Sequence, residues 1–380
     1  MDLYPDIKDG SHNARMGGAK GMEPVSTKEF NLDLSVIKDA ISWEILRQRR
    51  IEFQNDFQQL RATLPISEWM DLVNQMHDLI TTRALELCEQ DMVEAGYGQP
   101  PVSYSFIVFG SAGRMESTMW SDQDNGLIIS DELHNNKDEF FEKFAIALCD
   151  KLAYLGYEKC LGKVMCSESM WRKTLQDWKK TLMEWRSDLS WEPVRYLIIA
   201  SDVRHVAGDS RLTVEFKEML HQGFQEVPEL QYAILRNTVR HKATLNLLGQ
   251  VVTERFGEHA GGFDIKYGVY IPLVNFVRFM SLQLGVKETS TYRRLDKLIS
   301  LDSGNILLEN CQKAFDTAIY MRVSTPYEEL DGLFISSNYM SEEELTSKPL
   351  MHELRESLGV VRRIHRALQR MLRFAERRKA

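Results

Sequence analysis

The chain has 380 residues, enough for two or three domains that each bury a core. Its 43% hydrophobic and 27% charged residues exclude a disordered or collagenous protein. With 47 Lys+Arg against 55 Asp+Glu the formal charge is −8, which repels phosphate backbones and argues against a nucleic-acid-coating role. No apolar stretch is long enough to span a bilayer, and the acidic start lacks the basic patch and apolar segment of a signal peptide, so the expected location is the cytoplasm. Cys88, Cys149, Cys160, Cys166 and Cys311 show neither CxxC nor zinc spacing and read as reduced, mostly buried thiols.

Residues 1–24 lack apolar periodicity and read as a mobile tail. Residues 25–98 read as an N-terminal helical region: one helix from Asp33 to about Ala62, stopped by Pro65, and a second capped by Ser67 and ending near Gly96 and Gly98. Residues 99–208 change code. Tyr104–Phe109 and Gly126–Ile129 are short, apolar and bounded by breakers, which predicts strands, and Phe140–Leu155 is again helical. Trp171, Leu175, Trp178, Leu182 and Trp185 fall on one helical stripe, the pattern of a packed core. Arg195–Asp202, containing YLIIA, reads as a buried strand that ends on a carboxylate. Residues 209–380 read as all-helical, with Asp209 as an N-cap and helices over Leu212–Gln222, Pro228–Phe256, Lys266–Leu284, Thr291–Ile299, Ile306–Val323 and Glu342–Arg378. The expected class is α+β, a small mixed-sheet domain between helical regions.

The stretch FGSAGRMESTMWSDQDNGLII, Phe109–Ile129, concentrates the chemistry. On extended backbone Asp122 and Asp124, two residues apart, face the same side, where their oxygens can share one or two divalent cations. Few protein carboxylates with open positions suit Mg²⁺, or Mn²⁺, which takes its remaining ligands from water and phosphate. Gly110 lets backbone N–H groups approach a phosphate, Ser111 adds a hydroxyl, and Arg114 offers a guanidinium fork. A rival reading makes Asp122 and Asp124 caps of a turn and pairs Arg114 with Glu116 on the surface. Lys266, in FDIK, is placed to reach a nucleotide or acceptor, or else is a surface lysine. His241 reads as solvated. No P-loop, GxSxG elbow or HExxH is present.

GSAGRMESTMWSDQD resembles the signature of the polymerase-beta-like nucleotidyltransferase superfamily, and it is similar to bacterial PII-protein uridylyltransferases and the nucleotidyltransferases grouped with them. GKVMCSESMWRKTLQDW and FDIKYGVYIPLVNFVR resemble further segments of that group, so the likeness covers roughly residues 65–375. Met115 stands where relatives usually have Gly. The resemblance implies a C-terminal substrate-binding domain and a third catalytic carboxylate on a later strand, for which Asp202 is the candidate. It also implies the reaction: an acceptor hydroxyl attacks the α-phosphate of an NTP, UMP or AMP is transferred to a PII-like protein or a small molecule, and pyrophosphate leaves. Asp122, Asp124 and Asp202 would hold the metal, and Gly110, Ser111 and Arg114 the phosphates. Two rivals stand beside it. One is a non-catalytic nucleotide-binding sensor; the other is a helical adaptor that uses the basic stripe of Arg355, Arg362, Arg366, Arg370, Arg373 and Arg377.

Overall fold

The computed structural model describes residues 32–239 and 251–379. The readings of residues 1–24 and of His241 lie outside these. Two of the expected strands are present: β1, Tyr104–Val108, and β2, Asn125–Ile129, pair antiparallel with Val108 opposite Asn125. β3, Arg172–Thr174, runs parallel to β2, and β4, Arg204–Gly208, antiparallel to β1. The resulting four-stranded mixed sheet has the order β3-β2-β1-β4. Phe106, Ile107, Leu127 and Ile128 are fully buried in it, so the centre of the sheet is closed on both faces.

Helices surround this sheet. α1, Trp43–Leu60, packs on α2, Ile66–Glu94, which in turn packs on α4, Lys137–Tyr154. The segment expected to be helical from Asp33 is broken: a short 3-10 turn, Leu34–Ile37, precedes α1, whose start is capped by the Ser42 side chain. α5, Leu175–Ser187, brings Trp178 and Trp185 against Trp171 at ring-centroid distances of 6.1 and 5.8 Å. All three indoles are buried, so the tryptophan stripe is core, although Trp171 itself belongs to the turn before β3.

The expected strand at Arg195–Asp202 is instead part of a helix, α6, Trp191–Ala200. Its buried residues Val194, Leu197 and Ala200 are spaced by three, as on a helix face, and Pro193 lies in the first turn, where a missing N–H costs nothing. A short apolar run of this kind has no period that separates strand from buried helix. The strand follows Asp202 as β4 rather than ending on it.

Beyond β4 come α7, Ser210–Glu226, capped by Asp209 as expected; α8, Pro228–Val239; α9, Ile271–Gln283, entered through a π-helical turn at Lys266–Tyr270; α10, Thr291–Leu301; α11, Ile306–Ser324; and α12, Lys348–Lys379. The expected continuation of α8 to Phe256 is not helical where it is described: residues 251–257 are irregular and lead into a turn at 258–261. Nor is this part purely helical. β5, Phe263–Asp264, pairs with β8, Tyr339–Met340, and β6, Glu328–Leu330, with β7, Leu333–Ile335. α8 contacts both α6 and α9, and so joins the sheet region to the C-terminal helices. Among the described residues no helix is long and apolar enough to cross a membrane.

Candidate functional site

The Gly-Ser loop is a single helical turn, α3, Gly110–Gly113, wedged between β1 and the chain leading into β2. Phe109 N–H donates to the Asp124 carbonyl (2.9 Å), which fixes the loop entrance beside the carboxylates. Gly110 has φ +54°, and a Cβ there would lie 2.2 Å from Asp124 Oδ2. Backbone conformation and close approach therefore both require glycine. Gly113 is similarly confined, since a Cβ would meet the Asp202 carbonyl at 2.0 Å. As the first turn of a helix, α3 leaves the N–H groups of Gly110, Ser111 and Ala112 without intrahelical acceptors. Arg204 of β4 braces the turn by donating to the Ala112 carbonyl (3.1 and 2.9 Å) and, bidentate, to Asp78 of α2 (both 2.7 Å). Met115 adopts φ 61°, the left-handed region, which accounts for the glycine usual at that position.

Asp122 and Asp124 precede β2 in extended chain, as their spacing predicts. Gln123 points the other way, donating from Nε2 to the carbonyls of Cys149 and Tyr157 (both 3.1 Å), which leaves the two aspartates on one face. An oxygen of each and Cys160 Sγ all lie within 4.8 Å of one another. Spacing gave no signal for Cys160: it is 36 residues from Asp124 in sequence, and the turn after α4 carries it to the site. Burial and the nearby Asp122 push the Asp124 carboxyl up to about 6, against the opposing pull of the Cys160 thiol, Arg114 and Lys266. Burial and Asp124 push the Cys160 thiol up to about 12, so it stays protonated and a poor ligand for a hard ion. A half-buried carboxylate beside a more open one, next to a turn whose first N–H groups lack intrahelical acceptors, fits a divalent cation that also binds phosphate.

Gly110→Ala tests this fit. The methyl group displaces the Asp124 carboxylate, so Mn²⁺ affinity should fall at least about tenfold, or 1.4 kcal/mol, while the far-ultraviolet circular dichroism keeps its helical form. Unchanged Mn²⁺ binding by paramagnetic titration would remove Asp124 from the metal site.

Two expected site residues are engaged elsewhere. Arg114 is buried, and its guanidinium donates inward: Nε to Glu116 Oε2 (2.9 Å), Nη1 to Asp202 Oδ2 (2.6 Å) and Nη2 to the Tyr270 hydroxyl (2.8 Å). It therefore offers no open fork to phosphate, and its pairing with Glu116 is in the interior rather than on the surface. Asp202, in the turn between α6 and β4, is not brought into the group with Asp122 and Asp124. Its Oδ1 accepts from Arg278 Nε (3.0 Å) and Arg294 Nη1 (2.8 Å), and its Oδ2 from Arg114 Nη1 and Arg278 Nη2 (2.5 Å). Burial alone would raise its pKa, but the guanidiniums of Arg278, Arg114 and Arg294 hold the carboxyl well below the usual carboxylate range. A carboxylate so saturated is a structural anion, neither a base nor an open metal ligand.

Glu116 completes the cluster: Oε2 also accepts from the Tyr270 hydroxyl (2.5 Å) and Oε1 from Thr291 N–H (2.9 Å). Arg114, Glu116 and Asp202 come from the sheet region, and Tyr270, Arg278, Thr291 and Arg294 from the helices after it. The cluster is thus a buried polar joint beneath the Gly-Ser loop. Lys266 lies at the start of the π turn that ends on Tyr270, half-buried, with its charge acting on Asp124.

Two family models match the chain: "Putative nucleotidyltransferase DUF294" over residues 52–190 and "Putative nucleotidyltransferase substrate binding domain" over residues 228–372. The chain belongs to this nucleotidyltransferase family. The α+β architecture with a small mixed sheet agrees with it. The first match contains Gly110, Ser111, Asp122, Asp124 and Cys160, and the second contains Lys266, Tyr270, Arg278 and Arg294. Asp202 and β4 fall between the two. No curated protein matches the chain.

Proposed function

We propose that the protein is a metal-dependent nucleotidyltransferase that moves UMP or AMP from an NTP to a hydroxyl of an acceptor, a PII-like protein or a small molecule, with release of pyrophosphate. The observation that carries this reading is the convergence of the Asp122 and Asp124 carboxylates beside the first helical turn at Gly110 and Ser111, whose N–H groups lack intrahelical acceptors. Asp122 and Asp124 would hold Mg²⁺ or Mn²⁺, which supplies charge neutralisation to phosphate oxygens when bound. Gly110, Ser111 and Ala112 offer N–H donors to a β- or γ-phosphate, and Lys266 offers a cation on the side toward the C-terminal helices. Arg114 acts indirectly, through the joint that supports the loop. Domain roles follow the same division: residues 99–208 bind the triphosphate, and residues 209–380 the other substrate.

The net charge of −8 favours a protein or small-molecule acceptor over nucleic acid. The Arg-rich helix α12 does not alter this: Arg362 is half-buried, and the exposed arginines of that stripe make an ordinary solvated face. A second reading, a nucleotide-binding sensor that transfers nothing, is favoured by one observation. Asp202 is locked among three arginines, which leaves two carboxylates and a protonated thiol at the metal site. Incubation with each α-labelled NTP, Mg²⁺ or Mn²⁺ and a cell lysate separates the two readings. Transfer requires label on an acceptor, lost in EDTA. Binding of NTP with no labelled product under any condition assigns the protein to sensing.

A further inference from the structure

Two buried cysteines grip the strand that carries the metal pair. Cys149, one turn after Ala145 on α4, and Cys166, in the turn before β3, place their sulfurs 3.6 Å apart, and Cys166 Sγ lies 3.9 Å from the Ala145 carbonyl oxygen. We propose that this pair is a modification site: hydrogen peroxide joins Cys149 to Cys166, and the disulfide weakens metal binding at Asp122 and Asp124. The effect on the metal rests on the site assigned above.

Hydrogen bonds couple the pair to the metal strand. Gln123 and Asn125 occupy the face of the chain opposite Asp122 and Asp124. Gln123 Nε2 donates to the Cys149 carbonyl (3.1 Å), and Asn125 Oδ1 accepts from the Cys166 N–H (2.8 Å). Asn125 Nδ2 donates to Gln123 Oε1 (3.2 Å), so a continuous path of bonds runs from one cysteine through both side chains to the other. The Asn125 N–H donates to the Val164 carbonyl (2.9 Å), which ties the same turn to β2 a second time. A disulfide bond is about 2.0 Å long, so forming one draws α4 and the Cys166 turn toward each other. A close-packed core has little slack to absorb that movement. It reaches Gln123 and Asn125, and Asp124 lies between them.

The surroundings of Cys149 separate it from the isolated buried thiols. Burial pushes Cys88 and Cys311 up to about 12, which leaves them inert. Cys149 is held below an ordinary thiol in spite of burial: the hydrogen bond with Cys166 stabilises its thiolate most, followed by backbone and side-chain bonds with Ser167 and the charge of Lys159. Cys149 is therefore the attacking sulfur. Ser167 is half-buried and Lys159 exposed, so Cys149 lies one residue beneath the surface, where local opening of the turn before β3 admits a molecule as small as peroxide.

The Cys149 thiolate attacks one peroxide oxygen; the O–O bond breaks, hydroxide leaves and takes up the proton Cys149 released, and a sulfenic acid remains. Cys166 Sγ then attacks Cys149 Sγ. The S–S bond forms, the S–O bond breaks, and the oxygen leaves as a second water with the Cys166 proton. Two thiols are oxidised and one peroxide is reduced to two waters.

The test uses the full chain, reduced with a dithiol, freed of it and treated with near-stoichiometric hydrogen peroxide. Of the five thiols in the chain, two should disappear from titration of the unfolded protein, and peptide mapping without reductant should join Cys149 to Cys166. Mn²⁺ affinity by paramagnetic titration should fall at least about fivefold and recover on addition of dithiol. Cys149→Ala, at a helical position that favours alanine, should fold and bind Mn²⁺ but show no response to peroxide. A response that persists in this variant traces to Cys160 beside the metal and overturns the proposal. On wild type alone, retention of all thiols, a bond between other cysteines, or a disulfide that leaves Mn²⁺ binding unchanged overturns it as well, with the transfer reading left standing. Failure of the reduced protein to bind Mn²⁺ overturns the metal site itself, and this coupling with it.

Discussion

Asp124→Asn is expected to abolish metal-dependent triphosphate binding while making the metal-free protein more stable at neutral pH. Asp124 is half-buried beside Asp122, and desolvation together with that neighbour's charge pushes its carboxyl up to about 6 from an ordinary 3.8. The folded, metal-free protein therefore retains a proton that the unfolded chain releases earlier. The contribution of that proton to stability is complete below about pH 3.8 and is lost as pH rises through 6. At pH 8 wild type bears the full cost of a charged, desolvated carboxylate, up to about 3 kcal/mol at 1.36 kcal/mol per unit. Asparagine removes the charge at nearly constant volume and with it most of that cost. In urea unfolding without metal, the variant should gain at pH 8 and match wild type near pH 4. Transfer should fall about a hundredfold or more, close to 3 kcal/mol of transition-state stabilisation. A variant no more stable than wild type at pH 8 would contradict the desolvation of Asp124. The same proton competes with the metal, so Mn²⁺ affinity of wild type should decline below about pH 6.

This opposition between stability and charge explains which parts of the site were legible in the sequence. The shared face of Asp122 and Asp124 was readable because extended chain has a strict period of two, whereas the contact that requires Gly110, a Cβ 2.2 Å from Asp124 Oδ2, exists only in the folded chain. β1 and β2 were readable for a related reason: each is a short apolar run between breakers, buried along its whole length. The misreadings have a common cause in long-range packing. YLIIA is equally apolar as strand or helix, and only its burial by α5 and α8 decides for α6. Arg114 looks like a phosphate ligand in sequence because its partners Asp202 and Tyr270 are 88 and 156 residues away. Cys160 joins the site by tertiary placement alone.

The same long-range joint sets the largest stability effect expected in this chain. Asp202→Asn leaves Arg114, Arg278 and Arg294 facing a neutral amide that can accept at one oxygen and adds two donors of its own. Four charge-assisted hydrogen bonds converge on Asp202, and the surrounding side chains are at most 9% exposed. Among the described residues Glu116 is then the only carboxylate hydrogen-bonded within the cluster, and it already serves Arg114, Tyr270 and Thr291. Removing one partner of a buried ionic network typically costs about 3–5 kcal/mol, because the remaining charges cannot return to water. The pH dependence carries its own sign. Asp202 titrates well below an ordinary aspartate when folded, so its contribution is present above the unfolded pKa near 3.8 and is lost as pH falls through the folded value. Wild type should therefore lose stability in acid more steeply than the variant, whose urea midpoint should already be low at pH 7. Tripolyphosphate with Mg²⁺ should still bind whatever fraction stays folded, because Asp122 and Asp124 are untouched. If the variant keeps wild-type stability but loses turnover, Asp202 acts in the chemistry, and the arginine joint is not what holds the sheet region to the C-terminal helices.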